Sequence, residues 1–337
     1  MSQTLKIAIP MAGYGSRMRP QTWNKPKVLL PLAGGTVLDH FLQQFDTLPA
    51  NLEKEYVFIV SPFQLEQVQA YIQEHYPHLR AQWVVQEVMR GQSDALWNAR
   101  QHLTGPMLMT FSDTLVETDL SGLNTETLDG VAWVKPVPDP RSFGVAEVNA
   151  AGRVTRLVEK PQDLSNNLVV VGFYYFRSAE ALLDAIQEQF RRNLSLNNEF
   201  FLAEAVNVML EQGLQFRVQE VGTWLDAGKP VTILETNAWL LAHGRENSIE
   251  AARRPGVAVI PPVYIHPTAQ VESSVVGPHV SIGAGCTLKN VVIQNSILDA
   301  NTRLENLVLA DSLLGRGVTM SGAVQHVNLG DTSAVKA

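Results

Sequence analysis

From Pro261 onward the aliphatic positions recur in steps of six, Ile265 to Val271 and Val276 to Ile282 to Leu288, with small or turn-forming residues between them. Three segments of one type, SVVGPHVSI at 274–282, SILDANTRL at 296–304 and SLLGRGVTM at 312–320, lie twenty-two and sixteen residues apart, offsets that differ by six. A six-residue step matches neither the 3.6-residue turn of a helix nor the two-residue alternation of a flat strand. It matches a coil of short strands, each stacked on its counterpart one coil away, so a parallel β-helix is predicted over 261–326. Residues 245–260 then read as a linker and 327–337 as a tail.

The preceding 1–244 obey a different rule. LKIAIPM, YVFIV at 56–60, AQWVV at 81–85 and PMLMTF at 106–111 read as strands, while Val37, Leu38, Phe41, Leu42 and Phe45 keep helical spacing, as do 65–76 and 93–103. Strand and helix in alternation mean a parallel α/β sheet, with ligands expected beyond the carboxyl ends of its strands. After Phe111 strands follow one another, VAWVKPV, GVAEVNA, VTRLVEK and LVVVGFYYF, and helices are expected at 179–192 and 199–212. The fold class is therefore α/β, a Rossmann-like mixed sheet that this second half extends as a lid or second subsite.

Composition excludes several alternatives. Twenty-six basic against 33 acidic residues leave a net charge of −7, the wrong sign for a broad nucleic-acid-binding surface. The longest apolar run, 168–176, has strand length, and MSQTLKIAIP lacks the basic start and small-residue cleavage site of a leader, so no membrane association and a cytoplasmic location are expected. The single cysteine, Cys286, has no partner for a disulfide or a zinc site and reads as structural.

If phosphate is bound, positive charge must be local, and MAGYGSRMRPQTWNKPKVLLPLAG concentrates it directly behind the first strand. Ala12, Gly13, Gly15 and Ser16 form a turn whose backbone N–H groups are open to close approach, Arg17 stands beside them, and Lys27 follows behind Pro26. Such a turn with two cations can grip a triphosphate from two sides. The stretch resembles the signature of the sugar-1-phosphate nucleotidyltransferases, a glycine-rich turn with [ST]-R-[ML]-x-P-x-T and then P-K-x-L-L-P; the turn in that family usually reads L-A-x-G-x-G-T-R-L, from which Ser16 and Met18 are mild departures. The C-terminal repeats likewise resemble the left-handed hexapeptide-repeat domain common on bacterial transferases, and the handedness is taken from that resemblance.

The resemblance implies roles across the first domain. In VVQEVMRGQSDAL, Gln86 and Gly91 correspond to the side-chain amide and backbone group that hold the base, although Gly91-Gln92-Ser93-Asp94-Ala95 departs from the usual G-x-A-x-A. Asp113, and Asp226 of WLDAG, correspond to the acids that bind Mg²⁺, a hard cation that also keeps waters and substrate phosphates. SFGVAEV and LVEKP supply Gly144, Glu159 and Lys160 for the sugar and its phosphate, with Gly172 and Glu199 as further sugar contacts; Glu199 reads equally as an acid in the first turn of a helix.

The implied reaction joins a nucleoside triphosphate and a sugar-1-phosphate, glucose-1-phosphate with dTTP first, with mannose-1-phosphate and GTP or glucose-1-phosphate and ATP or UTP as alternatives. Arg17, Lys27, Asp113 and Lys160 would carry it, and a phosphate nucleophile needs no general base. Two other readings stand beside this one. A regulatory subunit would keep the fold and bind nucleotide sugars without making them. A bifunctional uridylyl- and acetyltransferase would use the repeat domain, with His279 or His326 as acyl-transfer bases; a histidine at a coil corner reads more simply as solvated, and the repeats as an oligomerising surface for a homo-oligomer. A dinucleotide-binding dehydrogenase is excluded because Met18 stands where the third glycine of G-x-G-x-x-G would fall.

Overall fold

The computed structural model describes residues 4–323, and these divide into two compact units, one made of 4–30 with 35–233 and the other of 31–34 with 234–323. The first is built on β1 (Leu5–Pro10), β2 (Lys54–Val60), β3 (Ala81–Val85) and β4 (Met107–Thr110), mutually parallel in the order β4-β1-β2-β3. Helices α1 (Val37–Gln43), α2 (Pro62–His75) and α3 (Gln92–Asn98) connect them. The third ends earlier than its apolar spacing predicts, giving way to a 3-10 turn at Arg100–His102.

A ribbon strand follows, β5 (Thr114–Glu117), then β6 (Gly130–Pro136), β7 (Gly144–Val148), β8 (Val154–Glu159) and β9 (Leu168–Phe176). The long β9 runs antiparallel to β4, β6 and β7, so the sheet is mixed, as expected. Next come α4 (Ala179–Arg191), α5 (Leu202–Glu211), β10 (Phe216–Glu220) and β11 (Thr223–Asp226). Helix α5 begins at Leu202 and not at Glu199, because Asn197 and Asn198 both take positive φ, 52° and 63°, and turn the chain back before the helix starts.

Phe41, Phe45, Phe58, Phe173, Phe176 and Phe216 are fully buried in this unit, each stabilising it by about 1.5–3 kcal/mol relative to exposure. Such a core holds the carboxyl ends of the parallel strands still. Capping ties those ends to the loops above them: Ser61 N donates to Gln64 Oε1 at 3.2 Å at the start of α2, and Gln64 Nε2 donates to the carbonyl of Gly13 at 3.0 Å.

In the second unit short parallel strands form two sheets in which each pairs with a strand one coil further on. Val257 pairs with Ser274 and Gln270 with Thr287, and later Val280 with Ser296 and Arg303 with Thr319, so the coil is 17 and then 16 residues. Ser296 therefore stacks on Val280 and not on Ser274: the twenty-two-residue offset equals one coil plus one six-residue face, and faces of similar composition are easily confused. Val263, Ile265, Val276, Ile282, Leu288, Ile293 and Leu298 fill the interior. Corners are turned by Asn290, Asn295, Asn301 and Asn306 at φ between 40° and 61°, and His279 occupies such a corner at φ 62°. Residues 245–260 contain a one-turn helix, Ser248–Ala251, and a strand, Val257–Val259, that joins the stack. Cys286 is buried, its thiol donates to Asp299 O at 3.2 Å, and burial raises its pKa, so it stays a thiol. His326 lies outside the described residues. Among the described residues no helix is long and apolar enough to cross a membrane.

Candidate active site

Four chain segments leave the carboxyl ends of β1, β3, β4 and β11 and bring polar groups to the same region. Behind β1, Gly15 adopts φ 62°, ψ 32°, and its carbonyl accepts from Thr22 Oγ1 at 2.8 Å. A Cβ there would lie 3.2 Å from Thr22 Cγ2 and 3.4 Å from Lys27 Cβ, so a glycine is what lets the turn close over Thr22. Ala12 is buried, whereas Gly13, Ser16 and Arg17 are exposed.

Lys27 forms an ion pair with Asp113, four-fifths withdrawn from solvent at both side chains. Burial alone would push the Asp113 carboxyl up; the charge and hydrogen bond of Lys27, a backbone N–H and the charge of Arg17 outweigh it and hold the group below the usual carboxylate range. Asp226 arrives from a distance in sequence through the β5–β11 ribbon, whose antiparallel register sets Asp226 opposite Thr114. Ala227 N donates to Asp113 O at 3.0 Å and completes the junction. Both carboxylates flank Gly228: a Cβ on that residue would lie 2.8 Å from Asp226 Oδ1 and 3.1 Å from Asp113 Oδ2. Gly228 N and Thr232 Oγ1 donate to the two Asp226 oxygens at 3.0 and 2.7 Å. Gly228 and Thr232 were not singled out from the sequence, although Gly228 is the last letter of the WLDAG motif.

The donor set suits a hard divalent cation, two carboxylates facing one point where only a glycine fits. Among the described residues no three or more His, Cys, Asp or Glu side chains form a metal-holding group, so phosphate and water oxygens would have to complete the coordination.

Behind β3, Gln86 is buried and its N–H donates to Val60 O at 2.8 Å. Gly91 stands at φ 104°, where a Cβ would come within 2.5 Å of Phe200 O. The loop before α5 lies on this turn, since Phe200 N donates to Arg90 O at 2.8 Å and Ser93 N to Phe200 O at 3.1 Å. That contact sets Phe200, the neighbour of Glu199, on the Gly91 turn.

The F-G-V and E-K-P elements meet directly. Glu159 pairs with Gly144 across β8 and β7, a Cβ on Gly144 would be 3.0 Å from Glu159 Oε2, and Lys160 N donates to Phe143 O at 2.9 Å. Lys160 takes φ 49°, a conformation that costs a non-glycine residue about 1–3 kcal/mol and is retained where function needs it. Its ammonium lies 4.5 Å from the ring centre of Phe201. Burial pushes the Glu159 carboxyl above the ordinary range; Lys160 opposes this, and Glu199 and Glu204 reinforce it. Neither Phe201 nor Glu204 carried a sequence signal. Gly172 is set apart from these residues by its packing: at φ 78° its missing Cβ makes room for the Phe111 ring, which such an atom would meet at 2.3 Å.

Comparison with known proteins adds an independent finding. A family described as Nucleotidyl transferase matches residues 8–243. The low-salt glycan biosynthesis nucleotidyltransferase of Haloferax volcanii is 30% identical over 346 aligned residues, covering 95% of this chain and 94% of that one. The glucose-1-phosphate thymidylyltransferase of Streptomyces griseus is 27% identical over 358 aligned residues and covered at 98% on both sides. The bifunctional protein GlmU of Methanococcus vannielii is 28% identical over 251 residues, 71% of this chain; the chain spans about half, 56%, of that relative's length. Among solved structures, the nucleoside-diphosphate-sugar pyrophosphorylase of Vibrio cholerae RC9 has the same fold at a TM-score of 0.59 and 21% identity, covering 68% of this chain and 98% of that one.

Proposed function

This chain belongs to the nucleotidyl transferase family, as an enzyme of the sugar nucleotidyltransferase class, and from that premise we propose that it joins dTTP to glucose-1-phosphate, releasing pyrophosphate. The observation that carries the reading is the convergence of Asp113 and Asp226 at Gly228, with Lys27 on Asp113 and Arg17 close enough to act on its charge.

In the reaction an oxygen of the sugar phosphate forms a bond to the α-phosphorus of the triphosphate, and the bond from that phosphorus to the bridging oxygen breaks, its electrons leaving with pyrophosphate. Two polyanions must meet, so the protein's work is neutralisation and alignment. The Gly13–Gly15 turn and Arg17 would hold the leaving pyrophosphate. Lys27 would reach the nucleotide phosphates from its place on Asp113. Lys160, fixed by its backbone bond to Phe143, would orient the attacking phosphate, while Gly144, Glu159 and Glu199 hold sugar hydroxyls, Gly172 shapes the wall beside them through Phe111, and Gln86 with Gly91 hold the base. Asp113 and Asp226 would carry Mg²⁺, which when bound supplies charge neutralisation to the phosphates. The stack of parallel strands is read as a left-handed hexapeptide-repeat β-helix that joins copies of the chain into a homo-oligomer, and the enzyme as cytoplasmic.

The test is pyrophosphate release over a grid of five nucleoside triphosphates against several sugar-1-phosphates. dTTP with glucose-1-phosphate should lead; a lead for mannose-1-phosphate with GTP, or for ATP or UTP, would reassign the substrates, and no turnover with any pair would favour a regulatory subunit. Asp113→Asn and Asp226→Asn should each lower kcat/KM by on the order of a hundredfold or more with the fold intact by circular dichroism. Full turnover in either variant would overturn the assignment of the acids.

A further inference from the structure

The loop departs from G-x-A-x-A at Ser93; the residue after it, Asp94, fills a position the pattern leaves open, and its surroundings give it work. It is 1% exposed, and a polar group so buried needs hydrogen-bond partners, which both its oxygens have. Oδ1 accepts from Arg90 Nε and Nη2 at 3.1 and 2.7 Å; Oδ2 accepts from Asn98 Nδ2 at 3.2 Å and from Gln86 Nε2 at 2.9 Å.

We propose that Asp94 is a positioning residue for base selection: by accepting from the Gln86 amide nitrogen it fixes the amide oxygen as the group presented to the nucleobase. The inference rests on the nucleotidyltransferase reading and deepens it. A carboxylate accepts hydrogen bonds and never donates, so only the NH₂ end of Gln86 can face it. The reversed amide would set Oε1 against Oδ2 inside the protein, two acceptors with no hydrogen between them. Among the described residues no group donates to Oε1, which is therefore free to accept from a ligand.

An acceptor locked in place selects bases by what they offer on the ring edge. Thymine and uracil carry N3–H and guanine carries N1–H. Cytosine and adenine present a lone pair at the corresponding atom, and a lone pair against Oε1 repels. A glutamine left free to turn would serve both classes equally; Asp94 removes that freedom. The enzyme should therefore accept keto bases and reject amino bases.

The experiment compares kcat/KM for dTTP, dCTP and ATP in the wild type and in Asp94→Asn. An asparagine amide offers a donor as well as an acceptor, so Gln86 can reverse. The ratio of dTTP to dCTP should fall by about tenfold or more, through KM of the triphosphates, with kcat for dTTP and the melting temperature little changed. A purely packing role would lower stability and all three activities together. An unchanged ratio in folded Asp94→Asn overturns the inference alone; no turnover by the wild type with any triphosphate overturns the parent reading and this one with it. N3-methyl-dTTP tests the wild type without any variant: its use should drop at least about tenfold below that of dTTP, since a methyl replaces the hydrogen that Oε1 accepts, and equal use overturns the proposal.

Discussion

Asp113 and Glu159 are both drawn out of water, yet their carboxyls move in opposite directions, and the neighbours decide which. Lys27 and Arg17 keep Asp113 ionised, so that interaction stabilises the fold above the ordinary carboxylate range and is lost as pH falls through the lowered value. Glu159 is raised by burial first, with Glu199 and Glu204 adding to it. Its folded form holds a proton more tightly than its unfolded form, so stability falls as pH rises from the unfolded value through the raised one and stays lower above it. Glu159→Gln removes that cost. Thermal melts across pH should show the variant more stable than the wild type at pH 7 and equal to it in acid, below the unfolded value. The same substitution takes a charged acceptor from the sugar, and KM for the sugar-1-phosphate should rise about tenfold. A variant with unchanged KM would place the sugar elsewhere.

Between elements, the decisive contacts are those between segments far apart in the chain. Gly91, at φ 104° and ψ −177°, begins α3 with the Phe200 carbonyl where a Cβ would stand. Gly91→Ala meets both penalties, a backbone region open in practice only to glycine and a 2.5 Å clash with a main-chain atom. It should lower unfolding free energy by about 2 kcal/mol or more, read from the urea midpoint, and raise KM for the triphosphate. The glycine-rich turn and the E-K-P element were legible in the sequence because their residue types are tied to local backbone and charge. Short apolar runs and 3.6-residue spacing likewise gave β1–β4, β6–β9 and the helices among the first four strands. What stayed hidden was pairing. The four-residue strands β5 and β11 are too short to show a period, and they are partners across more than a hundred positions, so nothing local announces that Asp226 will lie opposite Thr114. The coil register was hidden for a related reason: three faces of similar composition give the same six-residue step, and only stacking tells a shift of one face from a shift of one coil.

At the scale of the whole molecule the chain does not divide once. Pro31–Gly34, four residues beyond Lys27, group with the second unit while the segments on either side belong to the first. Gly34 takes φ 85°, and a Cβ on it would lie 2.6 Å from the Tyr264 ring; Ala33 N donates to Asn237 Oδ1 at 3.0 Å. These contacts hold Pro31–Gly34 within the second unit, against Tyr264 of the strand Val263–Ile265. Gly34→Val should separate the segment from Tyr264 and lower the melting temperature by about 4 °C or more. A double-mutant cycle assigns the cause: in Gly34→Ala with Tyr264→Ala the ring is gone, so the steric part of the loss should disappear while the cost of positive φ remains, giving a favourable coupling of about 1 kcal/mol or more. Strict additivity would mean that the ring does not hold the segment.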